Sequence, residues 1–164
     1  MPETLSFDEM QQQVFKYFEN PETLPRAYDL LTEVHPRYPE RASLLYNWRY
    51  CAAALMDKPD LAIEIIQEAL DAGYWWGENY LRSDSDLASL QTLPEFNRLV
   101  EISEARRQEA QAQAKPFALT LTLPANTAQP LPLLLALHGN SLNAELSVQN
   151  WKSAVDQGDR KSVV

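Results

Sequence analysis

The sequence predicts an α-helical domain of paired hairpins, followed by the opening of an α/β sheet that the chain leaves incomplete. Three observations predict it. Apolar residues recur at three- and four-residue spacing through the first two thirds of the chain, the period of a helix with one buried face. After Pro116 the period changes to two, as in a half-buried strand. Five near-consecutive aliphatics at 133–137 then end abruptly in His138, Gly139 and Asn140. Such a run is too short for a membrane helix and suits a strand covered on both faces.

In chain order, Phe7, Met10, Val14 and Phe18 mark a first helix, with Ser6 and Glu9 forming a capping-box pattern at its start. It is expected to end near Asn20 and Pro21. Ala27, Leu30, Leu31 and Val34 mark a second helix, which stops at His35 because the residue before Pro36 is pushed out of the helical region. A third, from about 41 to 56, carries an apolar stripe of Leu44, Leu45, Trp48, Cys51, Ala52, Leu55 and Met56. A fourth begins after a short turn at 57–60, buries Leu61, Ala62, Ile65, Ile66, Ala69 and Leu70, and is closed by Gly73 as C-cap. Tyr74, Trp75 and Trp76 lead into a short helical turn around Tyr80 and Leu81. The last helix starts at Pro94, carries Phe96, Leu99, Val100 and Ile102, and grades into a polar run from Ser103 to Ala114 that reads as a solvated spacer.

The hairpins invite a search for internal repeats. Ala27, Leu30 and Leu31 map onto Ala62, Ile65 and Ile66 at an offset of 35 residues, that is, 62 minus 27. Residues 44–96, with Asp86-Leu87 and Pro94-Glu95-Phe96 near their end, resemble a degenerate unit of the tetratricopeptide repeat family, whose period is 34 residues. The small positions of that family's first helix are present in part, at Ala52 to Ala54. The resemblance implies a stack of helical hairpins able to bind a protein or peptide partner.

Beyond the helices, Phe117, Leu119, Leu121 and Leu123 alternate with Ala118, Thr120 and Thr122 as a strand. A turn-rich link at 124–130 leads to the aliphatic strand, the His138-Gly139-Asn140 turn, and an expected helix over about 144–156. This order resembles the third strand and oxyanion turn of the α/β-hydrolase fold, in its esterase, phospholipase/carboxylesterase and dienelactone-hydrolase-like branches. The resemblance implies a serine hydrolase acting on an ester or related acyl bond. It gives the Asn140 backbone N–H the role of oxyanion donor, Gly139 that of the sharp bend, and His138 that of orienting the turn. The nucleophile elbow, acid and histidine that such an enzyme needs are absent from these 164 residues, so the chain by itself is expected to be inactive. The last six residues coincide with the translation of a widely used sequencing-adapter string. The expected divisions are therefore a tetratricopeptide-like domain with helical spacer at 5–114, the start of a hydrolase domain at 115–158, and a non-native tail at 159–164. Two strands cannot complete a sheet, and 133–137 is expected to stand as a sticky edge.

The net charge of −9 disfavours nucleic acid and anionic membrane as partners, and no apolar run approaches the length of a membrane span. A single cysteine fits a reducing cytoplasm. Cys51 sits on an apolar helical face and reads as a buried thiol, not a nucleophile. No metal or organic cofactor is implied. Glu78, Asp84 and Asp86 lack the twelve-residue calcium-loop pattern and read as helix caps, while His35, at a helix end, reads as a capping or surface residue. Tyr74 to Trp76 suit inter-helix packing better than a ligand groove. The expected partners are a small ester substrate for an intact enzyme and a protein or peptide for the helical domain. The alternative function is a repeat scaffold with no catalytic activity.

Overall fold

Each helical boundary has a local cause. In the computed structural model, which describes residues 6–114 and the strands at 119–121, 133–136 and 160–163, Ser6 and Glu9 form the expected capping box at the start of α1, Phe7–Phe18. Helix α2, Leu24–Val34, begins with Pro25 in its first turn and gives way to a 3-10 turn at His35–Arg37. Helix α3, Ala42–Leu55, ends in a left-handed residue, Asp57 at φ 58°, and α4, Pro59–Asp71, ends in Gly73 at φ 90°. Both ends close alike. The Lys58 N–H donates to the Ala53 carbonyl and the Tyr74 N–H to the Ala69 carbonyl, each at 3.0 Å, across a residue that must adopt positive φ. A short helix α5, Glu78–Ser83, a 3-10 turn at Ser85–Leu90, and α6, Pro94–Gln113, complete the helical unit.

Helix α3 departs most from its expected stripe. It is buried on every side, from Leu45 to Ala54, whereas Leu55, expected inside, is 40% exposed. On one side lies a core of Met10, Val14, Leu31, Val34, Leu45 and Trp48, shared with α1 and α2. On the other, Tyr50 and the alanines at 53 and 54 meet α4, and the core extends through Leu81 and Leu87 to Phe96 and Leu99 of α6. Because α3 cannot turn a polar face to water, its polar residues find partners inside. Asn47, 6% exposed, donates to the Tyr50 hydroxyl at 2.6 Å and accepts from the Tyr80 hydroxyl at 3.2 Å. Arg49, 8% exposed, lies over the Tyr46 ring at 5.6 Å and faces Glu68 at 3.6 Å.

The polar run of α6 is no simple solvated spacer in its first turns. Ser103 is fully buried, and its hydroxyl accepts from the Trp76 N–H at 2.7 Å and donates to the Trp76 carbonyl at 2.8 Å. One side chain thus satisfies both backbone groups of a residue outside regular structure. Glu104 accepts from the Glu78 N–H at 3.0 Å, and Arg106 donates to the Leu70 carbonyl. Trp76 itself packs edge-on against Tyr50, with ring centroids 5.4 Å apart. The packing role expected for the 74–76 aromatics holds for Tyr74 and Trp76, while Trp75 is 39% exposed.

Residues 114–164 form a second compact unit. Its described strands are β1, Leu119–Leu121, β2, Leu133–Ala136, and β3, Arg160–Val163, in the order β1-β3-β2. Strand β3 runs antiparallel to β1, pairing Leu119 with Val163, and parallel to β2, pairing Leu133 with Arg160 and Ala136 with Val163. Strand β2 is thus an outer strand of the described sheet, paired with β3 along one side. An unpaired strand offers rows of N–H and C=O groups along both sides, and the 160–163 segment, expected to be an appended tail, pairs with one of those sides of β2. The helix expected at 144–156 lies outside the described residues.

Ser103→Ala is expected to strand both Trp76 backbone groups and to lower stability by about 1–3 kcal/mol in urea unfolding, with the helical circular dichroism spectrum retained. The hydrogen bonds from Arg107, the Glu78 N–H and Gln108 hold the Glu104 carboxyl well below the usual carboxylate range. A carboxylate with a depressed folded value contributes stability above its unfolded value and loses it as pH falls. Glu104→Gln should accordingly lower the melting temperature at neutral pH, and the gap from the native chain should close in acid.

Candidate functional site

The residues expected to form the oxyanion turn, His138, Gly139 and Asn140, lie outside the described residues, immediately beyond the end of β2. Within the helical unit the chemistry collects in a cleft of about 410 Å³ between α1, α3 and the segment entering the 3-10 turn at Ser85–Leu90. Its aromatic wall is Phe15, Phe18 and Trp48, the Phe15 and Trp48 rings meeting edge-on at 5.1 Å. Its polar wall is Asn47, Cys51, Asp84 and Asp86, with Glu19 on the rim.

Helix periodicity explains the convergence. Asn47, Trp48 and Cys51 share one face of α3 at spacings of one, three and four. Asp84 arrives from the other direction because it caps the 3-10 turn, its carboxylate accepting from the Asp86 N–H at 3.0 Å. The expected capping role of Asp84 is thus seen, while Asp86 turns its half-buried carboxyl toward the same cleft.

Ligand atoms of Cys51, Asp84 and Asp86 lie within 4.8 Å of one another, a grouping close enough to face a single cation. The chemistry of the set argues against a thiolate site. Burial pushes the Cys51 thiol far up, the Asp84 and Asp86 charges push it further, and the thiol faces the Asp84 carboxylate at 3.6 Å as a donor. A thiol kept protonated is a poor nucleophile and a poor ligand. Burial, with the Asp84 charge second, also raises the Asp86 carboxyl above its usual range.

His35 sits beside α3 away from this cleft. Its ring packs edge-on against Tyr46 at 4.3 Å with Nε2 buried and without a hydrogen-bond partner among the described residues, so the side chain serves packing. Burial pushes its imidazole down, helped by the nearby Arg49 charge.

Residues 7–111 match a family model described as the A/B hydrolase-like, N-terminal domain. The chain belongs to that family. The hydrolase-like N-terminal domain coincides with the helical unit, from the first residue of α1 to within the last turn of α6. Among solved structures, the 2.75 Å crystal structure of an uncharacterized protein from Bacillus cereus ATCC 10987 is similar, with 21% identity and a TM-score of 0.57. The match covers 98% of this chain and 51% of that one, so the chain spans about half the length of that protein. At this identity the likeness shows the fold. No curated protein matches. No helix among the described residues is long and apolar enough to cross a membrane.

Reasoning from sequence placed Cys51 and the two aspartates separately and did not bring them together. The signal available was the i, i+4 spacing of Asn47 and Cys51, together with an aspartate pair at a turn entry. Cys51, the single thiol of the chain, gives the site a clean readout. Its modification by a disulfide reagent should be slow at neutral pH, should rise little between pH 7 and 9, and should become fast on addition of urea.

Proposed function

We propose that this chain is the amino-terminal portion of a serine hydrolase acting on ester or related acyl bonds. The observation that carries the reading is a hydrolase-like N-terminal domain directly upstream of a strand whose sequence runs into His138-Gly139-Asn140. In this reading 5–114 is the accessory helical domain, 115–158 opens the catalytic domain, and 159–164 is a foreign tail. A serine nucleophile and its histidine and acid would follow in a longer chain. They would attack the acyl carbon while the Asn140 amide, with a second donor, holds the oxyanion. No organic cofactor enters this chemistry, and the single buried cysteine suits a reducing cytoplasm.

A second reading has its own support. Helices α2 and α4, which carry the offset-35 correspondence, both pack on α3, and the buried residues include the matched pairs Ala27/Ala62 and Leu31/Ile66. A tetratricopeptide-like stack of this kind would act as a scaffold for a peptide partner, with or without catalysis alongside.

The test is made on a frame extended past residue 158. The completed protein should hydrolyse a short-chain p-nitrophenyl ester, whereas the 164-residue chain should not. Asn140→Ala should retain activity within a few-fold, because the backbone amide is the donor. Asn140→Pro, which lacks that amide, should lose about 10²–10³-fold in kcat. An extended frame without esterase activity, whose helical domain holds a peptide partner, would leave the scaffold reading standing alone.

A further inference from the structure

The 84–86 cleft pairs aromatic faces with carboxylates, and this pairing is independent of the hydrolase assignment. Phe15 is 46% exposed and Tyr80 41% exposed, two of the large apolar side chains left at the surface of the helical unit. Phe15 lines this cleft, while the Tyr80 hydroxyl donates to Asn47 on its polar wall. Single exposed aromatics are ordinary, but an exposed ring that lines a concavity beside Phe18 and Trp48 marks a place where apolar surface meets a ligand. Every charged side chain lining the cleft is a carboxylate: Glu19, Asp84 and Asp86. An anion would be repelled there, and a neutral apolar ligand would leave the two half-buried aspartates without a counter-charge.

We infer that the cleft binds a small organic ammonium ion, its alkyl portion lying on Phe15 and Trp48 and its charged head meeting Asp84 and Asp86. The aromatic faces attract a cation through their quadrupoles, and the carboxylates supply the opposite charge. The volume of about 410 Å³ lies at the small end of ligand pockets, enough for an alkylamine or a short polyamine. The Asp84 and Asp86 carboxylates lie within 4.8 Å of each other and of the Cys51 thiol, and a bound cation offsets the repulsion between them.

The experiment is calorimetric titration of the 164-residue chain with hexylamine at neutral pH, beside hexanol and ammonium chloride, with the Trp48 indole N–H resonance reporting the location. Hexylamine should bind at least about tenfold more tightly than either comparator, since each supplies one half of the recognition. Asp86→Asn should weaken binding about tenfold without lowering the melting temperature, and Phe15→Ala should weaken it several-fold with the fold intact. Equal affinity for hexanol and hexylamine would overturn the proposal in favour of a plain apolar cleft. Binding of calcium or zinc with hexylamine silent would overturn it in favour of a metal site, and binding confined to lysine-rich peptides would overturn it in favour of a polypeptide partner.

Discussion

A helix buried on all sides must give every polar side chain it carries a partner, and α3 imposes that requirement on the whole helical unit. Its sequence interleaves Asn47 and Arg49 with Trp48, Tyr50 and three consecutive alanines. The alanines let α4 come close. Asn47 is held between Tyr50 and Tyr80, which ties α5 to α3, and Arg49 draws Glu68 and Tyr46 to the opposite side. Buried polar groups of this kind are costly unless paired, so they favour one register over slipped alternatives. The hydrophobic cores on either side of α3 would tolerate small shifts; the Asn47 hydrogen bonds, at 2.6 and 3.2 Å, would not.

The functional consequence lies in how the same helix serves two surfaces. Cys51 belongs to one core while forming, with Asn47, part of the polar wall of the cleft. Asp86 is kept with its charge disfavoured by burial, a local conflict of the sort proteins retain where a site needs it. The hydrolase-like N-terminal domain thereby carries a ligand-sized concavity of its own, separate in residues from the His138-Gly139-Asn140 turn.

The helix boundaries were legible because their causes are local: the Ser6 and Glu9 box, the prolines at 21, 36 and 94, and Gly73 at positive φ. Asp57 was missed as a left-handed cap because aspartate signals a turn without specifying the sign of φ. The burial of α3 was hidden for a different reason. A helix covered all round loses its periodic stripe, so an expected face that included Leu55 and omitted Tyr46 and Tyr50 was the best that spacing could provide. The Ser103 clamp was invisible because a serine within a polar run looks like a solvated residue. The pairing of 160–163 with two strands was equally out of reach, since backbone hydrogen bonding is nearly indifferent to sequence.

The clamp of α6 on 70–78 bears on how the helical unit comes apart. Neighbouring hairpins are joined by short turns, so their contacts close small loops and re-form quickly. The bonds from Ser103, Glu104 and Arg106 instead span 27, 26 and 36 residues. Closing loops of that size costs chain entropy, which the burial of Phe96, Leu99 and Val100 on α6 offsets. Where α6 separates from 70–78, both Trp76 backbone groups and the Glu78 N–H lose their partners together, so these contacts are made and lost as one unit.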